Sequence, residues 1–306
     1  EETMQPWATA SVIAVTVLAF VFVVLRFVAR WERKAKLGGD DWLIICSMAL
    51  LVVVVGFIMG MVHYGMGLHA DTLPTNNVVM VAKYLMIAEI LYVINLVLTK
   101  ISILYMYYRL FPLRAMKRWS WAIGGFCIAW VITIVFVFIF LCVPIQKMWY
   151  TTLPGHCVNQ VGTWCANAAS TILTDCAILV LPMPHVWRLQ VDKTQRVLLV
   201  IMFALGFFVV FTSAYRFAVL LTYDAADSTW TLTWTVVWTA IEISAGIISA
   251  CLPTLRPVVK LVWRTTKSTA GYSNDKSTTG GSKAGTVSAL TASSTRPFQR
   301  LDDTQL

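Results

Sequence analysis

The sequence predicts an all-α membrane protein, a bundle of seven transmembrane helices with the N-terminus outside and the C-terminus in the cytoplasm. Three observations carry this. First, 58% of the 306 residues are hydrophobic and only 13% are charged, with a mean hydropathy of +0.72, whereas soluble domains hold about 25% charged residues. Second, seven segments (about 8–30, 42–63, 78–108, 119–142, 163–184, 197–221 and 230–252) are each long and apolar enough to cross roughly 30 Å of hydrocarbon. Third, Lys and Arg collect in alternate connections: Arg26 to Lys36, Arg109 to Arg118, Arg188 to Arg196, and Arg256 to Lys267. The positive-inside rule places those connections in the cytoplasm, as an odd span count starting outside also requires. The formal net charge of +9 is therefore topogenic, and no nucleic-acid partner is expected. Membrane lipid is the expected surrounding, in the plasma membrane.

Residues 1–7 form a short extracellular N-terminus. The first span is too long for a signal-peptide core and ends in a basic cluster, so it is expected to be retained. Between spans one and two lies KLGGDDW. Gly38 and Gly39 permit a tight turn. Asp40 or Asp41 is then expected to cap the second helix, where a carboxylate meets free N–H groups and the positive dipole end, with Arg33 or Lys34 as ion-pair partners. Trp42 suits the headgroup interface. The first outer loop, HYGMGLHADTLPTNN, holds His63 and His69; two His without further ligands predict no metal site. The third span is long, ends KISILYMYYRLFPLR, and is expected to stop at Pro112, just after Arg109.

The fourth span runs into Cys142-Val-Pro and the outer loop IQKMWYTTLPGHCVNQ. Cys142 and Cys157 share the oxidising side, and a disulfide between them is expected, with Cys165 as the rival partner. Cys46, Cys127, Cys176 and Cys251 are expected to pack. Span five closes with TDCAILVLPMPHVWRLQ, broken by Pro182 and Pro184. Span seven closes with ISACLPTLRPVVK and is expected to break in the same manner, so that the seven-helix domain covers 8–264. Residues 265–306 are rich in Ser, Thr and Gly and have little to bury. They are expected to form a disordered cytoplasmic tail.

Ionisable residues at bilayer depth are costly and therefore the best site candidates. They are Glu89, Lys100, Asp175, Arg216 and Glu242. Glu89 and Lys100 lie eleven residues apart, about three turns, so they share a face with Tyr92, Asn95, Leu96 and Thr99. That polar stripe is expected to face the bundle interior, as a ligand or ion site or as interhelical hydrogen bonding. Trp230, Trp234 and Trp238 recur every four residues on span seven. With Tyr92, Trp234 and Trp238 are candidate aromatics of an outer pocket, against packing or an interfacial belt. A retinal Schiff base needs a Lys in the last span. TWTLTWTVVWTAIEISAGIISACLP has none, so no such cofactor is expected.

Several stretches in order resemble a known family: LGGDDW before span two, GMGLH in the first outer loop and KISILYMYYRLF on span three, then CVPIQKMW…C, TDCAILVLPMPHVWRLQ and WTAIEISAGIISACLPTLRP. Together, over about residues 8–260, they resemble the fungal rhodopsin-like seven-transmembrane integral membrane domain, related to pathogenicity-type fungal receptor-like proteins. The resemblance implies seven helices. It does not extend to the Cys-rich extracellular domain of some pathogenicity-type relatives.

Three functions compete. The first is a G-protein-coupled-receptor-like sensor of an unknown small-molecule or surface ligand, with Arg109 and Arg188 meeting a heterotrimeric G protein. The second is an ion- or proton-coupled transporter relaying through Asp175, Glu242 and Lys100. The third is a non-catalytic membrane scaffold. An enzyme is not expected, since the sequence holds no HExxH, no Gly-rich phosphate loop and no evident nucleophile–base pair.

Overall fold

Seven helices account for most of the chain in the computed structural model, which describes residues 3–32, 34, 37–110, 113–150, 153–183, 193–222 and 227–272. They are α1 (Gln5–Glu32), α2 (Gly39–His63), α3 (Thr75–Leu110), α4 (Arg114–Ile139), α5 (Gln160–Val180), α6 (Lys193–Leu220) and α7 (Ser228–Tyr272). All seven are long and apolar enough to cross a membrane. Following the charge count, the end bearing the α1–α2 connection is the inner end.

Helical periodicity sorts each helix into a packed face and a lipid face. On α2 the buried positions Ile44, Met48, Leu51, Val54, Ile58 and Met61 step by three and four, the spacing of one helix face. Val52 and Val53 on the opposite face are half exposed, as lipid contact requires. Burial of the most apolar stretch reaches 78% on α7 and 56% on α3, but only 17% on α4. So α3 and α7 form the centre, and the polar side chains they carry point into protein.

The outer end is closed by loops. Gly65 and Gly67 adopt φ of 104° and 91°, a conformation that favours glycine. They turn the loop after α2 back so that the Gly67 N–H bonds Thr229 C=O at 3.2 Å. Two short strands, β1 (Cys142–Val143) and β2 (His156–Cys157), pair antiparallel. A disulfide joins Cys142 to Cys157, and Cys165 is free.

Two expectations need correction. Span seven does not break at its prolines, because α7 runs through Pro253 and Pro257 to Tyr272, past the expected start of the tail at 265. A proline removes one i→i−4 bond, and a helix survives where other donors satisfy nearby carbonyls. The prolines free the carbonyls of Ser249 and Pro253; on the turn between them Arg26 donates to the Ala250 carbonyl at 2.6 Å and the Thr254 hydroxyl to that of Cys251 at 2.7 Å. The expected tail from 273 onward lies outside the described residues. The second correction concerns KLGGDDW. The N-cap residue of α2 is Gly38, and Asp41 caps the helix start from its third position, its carboxylate accepting the Gly38 N–H at 2.9 Å, whereas Asp40 turns inward to arginines.

Candidate functional site

The buried charges form two assemblies, one through the bundle centre and one at its inner end. The central assembly begins at Glu89 on α3. Arg216 on α6 donates from Nη2 to Glu89 Oε1 at 2.8 Å, from Nη1 to the Tyr92 hydroxyl at 2.9 Å, and from Nε to Thr239 Oγ1 at 3.1 Å. Its guanidinium carbon also stands 4.2 Å from the centre of the Tyr92 ring, a cation–π position. The Tyr92 hydroxyl passes the contact on, donating to Glu242 Oε2 on α7 at 2.9 Å. The other oxygen of Glu242 accepts from the Ser213 hydroxyl. That hydroxyl also lies 3.2 Å from Asp175 Oδ2 on α5. Asp175 meets Lys100 on α3 at 3.1 Å.

An unbroken run, Glu89–Arg216–Tyr92–Glu242–Ser213–Asp175–Lys100, thus ties α3, α5, α6 and α7 together. Lys100 donates to the Thr171 carbonyl and to Thr174 Oγ1 and pairs with the Asp175 carboxylate. With every group ionised, three carboxylates (Glu89, Asp175, Glu242) oppose two cations (Lys100, Arg216), a formal sum of −1. The spaces beside the run are small. One of about 20 Å³ adjoins Lys100, Asn167, Ser170 and Thr171, and one of about 10 Å³ adjoins Glu89 and Thr239.

Five predicted ionisable residues and Tyr92 meet in this run. Asn95 does not join it. Its amide pairs with α2, accepting from the Ser47 hydroxyl at 2.5 Å and donating to the Ser47 carbonyl at 2.9 Å. Tyr92 is fully buried and does not share an aromatic wall with Trp234 and Trp238. Trp234 packs on Trp7 of α1 at 4.6 Å, and Trp238 packs on Tyr215 of α6 at 4.4 Å. They share a face of α7 but lie about 6 Å apart along it, and at each level a different helix stands opposite.

The inner assembly answers why two aspartates adjoin an apolar run. Asp40 and Asp41 are each 1% exposed. Arg26, fully buried on α1, donates to Asp40 at 2.5 Å and to Asp41 at 2.8 Å, and Arg30 meets the same two carboxylates. Two cations cancel two anions, the condition for burying charge in lipid. Asp41 Oδ2 also accepts the Gly38 N–H at 2.9 Å, which closes the helix start from inside the first turn. Ser102 of α3 donates to the Asp40 carbonyl at 2.9 Å. With Arg26 on Ala250 of α7, α1, α2, α3 and α7 are joined at one level. A Cβ at Gly38 would press on the pinned Asp40 carboxylate, and on the Arg109 guanidinium, which is half exposed and can move aside. The carboxylates pair with Arg26 and Arg30; of the expected partners, Arg33 lies outside the described residues. Arg26 and Arg30 lie four residues apart within the apolar span, and that spacing was the available signal for one charged face.

Arg109 lies at the inner edge of α3. Its side chain is 56% exposed, with Nη1 3.9 Å from Asp40 Oδ1. Arg188 lies outside the described residues. At the outer end, the Asp227 carboxylate clips the first loop to α7, accepting the Ala70 N–H at 2.9 Å and meeting His69 Nδ1 at 2.5 Å. Trp230 stacks on the His69 ring. Burial would raise the Asp227 carboxyl, but the Ala70 amide and the His69 ring outweigh it and hold the group below the usual carboxylate range.

The chain was compared with known proteins. A family model described as the fungal rhodopsin domain matches residues 25–261. The polyenoic acids biosynthesis gene cluster protein Ba17b of Metarhizium anisopliae is 30% identical over 81% of this chain and 72% of its own length. A SAT4 family membrane protein of Emericella nidulans is 31% identical over 63% of this chain and 50% of its own length. The receptor GIN3 of Arthrobotrys oligospora is 27% identical over 66% of this chain and 49% of its own length. The chain thus spans about half the length of two of these three curated relatives. It belongs to the fungal rhodopsin domain family and is a multi-pass integral membrane protein.

Proposed function

We propose that this member of the fungal rhodopsin domain family is a receptor-like sensor, in which the central network converts an outer stimulus into a rearrangement of the inner face. One observation carries the proposal. The run from Glu89 to Lys100 joins four helices, and its midpoint has rival partners. The Ser213 hydroxyl has one proton and faces both Glu242 and Asp175. The Tyr92 hydroxyl holds its two neighbours together, accepting from Arg216 and donating to Glu242. In this reading the contested Ser213 proton is the element that a second arrangement of the bundle would use. A ligand that favours one arrangement shifts the population only by its differential affinity.

The outer input is a small-molecule or surface ligand, received beside the loop that Asp227 clips. The inner output is a heterotrimeric G protein met by Arg109 and Arg188, in the plasma membrane. A relative named as a receptor supports this reading. It requires neither a catalytic residue nor a retinal Schiff base.

The test is proximity-based energy transfer in living cells between the C-terminal tail and a panel of fungal Gα subunits, with wild type beside Arg109→Ala. A subunit-specific signal that Arg109→Ala weakens at equal surface expression supports the proposal. No signal with any subunit, with or without candidate stimuli, counts against it. A second reading, a proton-coupled carrier, is favoured by the unmatched carboxylate in the run. It predicts proton flux in reconstituted vesicles that Glu242→Gln abolishes.

A further inference from the structure

A cavity of about 260 Å³ lies away from both assemblies, between the inner halves of α3 and α4. Ile101, Leu104, Tyr105 and Tyr108 line it from α3, spaced as one helix face. Ser120, Gly124 and Ile128 line it from α4 at intervals of four, with Trp121 and Gly125 beside them. Its rim is open to lipid, with Trp121, Tyr105, Ile128 and Tyr108 all exposed.

The two helices run in opposite directions, so the lining has a polar end and an apolar end. At the inner mouth, Lys117 Nζ sits 4.7 Å from the centre of the Tyr108 ring, and Arg114 and Arg118 are exposed on the same helix start. One turn deeper, Ser120 is 5% exposed, and its hydroxyl has no hydrogen-bond partner among the described residues. A buried hydroxyl without a partner is costly. Deeper still, toward Ile101 and Ile128, the lining is apolar, and the side chain missing at Gly125 would meet nothing within 4 Å. Ser120 to Ile128 spans about 12 Å of helix.

Cations at the headgroup level, a hydroxyl one turn below and an apolar slot beneath it match an anionic phospholipid of the inner leaflet. We propose that this groove binds one such lipid. Its phosphate is held by Lys117 and Arg118, its ester carbonyl accepts from Ser120, and one acyl chain lies over Gly124 and Gly125. Lysines and arginines at the inner surface attract anionic headgroups, each about fivefold.

The test uses the full chain in phosphatidylcholine nanodiscs carrying a trace of phosphatidylserine or phosphatidylcholine with a photoactivatable acyl chain, and maps crosslinks by mass spectrometry. In wild type, the serine lipid labels 101–108 and 120–128 at least about fivefold more than the choline lipid. Gly125→Leu, which fills open space, lowers labelling by about tenfold or more. Lys117→Gln with Arg118→Gln, which removes both cations and the Lys117 contact with the Tyr108 ring, brings the serine probe down to the choline probe without lowering choline labelling. Equal labelling by both probes in wild type overturns the proposal, as does labelling that survives Gly125→Leu. Labelling by a photoactivatable sterol in place of the serine lipid overturns it in favour of a sterol site.

Discussion

Replacing Arg216 with Met probes the central network most sharply. The side chain stays unbranched and apolar along its stem but loses the guanidinium and its charge, so the formal sum of the run falls from −1 to −2. Its hydrogen bonds go to Glu89, Tyr92 and Thr239. Polar contacts between membrane helices average only about 0.6 kcal/mol each, so those bonds alone decide little. The stranded carboxylates decide more, since removing one partner of a buried ion pair costs about 3–5 kcal/mol. Protonating one glutamate at pH 7 costs about 3.7 kcal/mol from its ordinary range, which caps the penalty. The expected loss is therefore about 3–4 kcal/mol at pH 7, or roughly 10 °C. It shrinks by about 1.4 kcal/mol for each pH unit toward pH 5. Glu242→Gln moves the sum to zero and keeps the shape, so its cost is expected to stay within about 1 kcal/mol. A thiol-reactive dye reads both unfolding curves, because Cys127 and Cys251 are free thiols buried in the bundle. A wild-type melting curve for Arg216→Met would show that the buried carboxylates do not depend on the charge of Arg216. So would a Glu242→Gln curve as low as that of Arg216→Met.

At the inner end, Gly38→Ala is expected to cost more than an exposed glycine replacement, about 2 kcal/mol or more. Its Cβ presses on the pinned Asp40 carboxylate, and the same dye assay shows this as a lowered midpoint. Asp40→Asn strands part of the charge on Arg26 and Arg30 and is expected to cost about 3 kcal/mol. Surface expression and melting should fall together. At the outer end, the depressed Asp227 carboxyl gives its stabilisation above its ordinary range near pH 4 and loses it as pH falls through its own lower value. Protection of the Ala70 amide from hydrogen exchange, corrected for intrinsic rate, should thus hold from pH 8 to 5 and drop below about pH 4. Asp227→Asn should drop it at every pH. Reducing Cys142–Cys157, a separation of 15 residues, should remove about 3 kcal/mol, read as a lower midpoint in dithiothreitol.

The architecture was legible because lipid imposes a strong and local rule: long apolar runs with basic ends. The central site was half legible for the same reason, since Glu89, Lys100, Asp175, Arg216 and Glu242 stand out against apolar neighbours. Their pairing was not legible. Glu89 and Lys100 share a face of α3 but turn to different helices, Glu89 to Arg216 and Lys100 to Asp175. Which helix stands opposite depends on packing and rotation across the whole bundle. Ser213 and Ser47 escaped notice because a serine in an apolar span carries no charge to mark it. Arg26 was counted as a loop charge, yet it is fully buried. The Asp40–Asp41 pair suited a helix cap on local grounds alone, and only tertiary contact turned it into an ion-pair node.

The proposed sensor requires that the network hold one of two bundle arrangements. The most direct measurement is the distance between α4 and α6 near their inner ends by pulsed electron spin resonance. Spin labels would be carried by non-natural amino acids at the exposed positions Trp119 and Val200, in nanodiscs. One dominant distance is expected in wild type and a second population in both Glu242→Gln and Arg216→Met, since each change alters the charge balance of the run. Identical distance distributions in all three folded proteins would contradict the proposal and leave the network as a fixed structural tie.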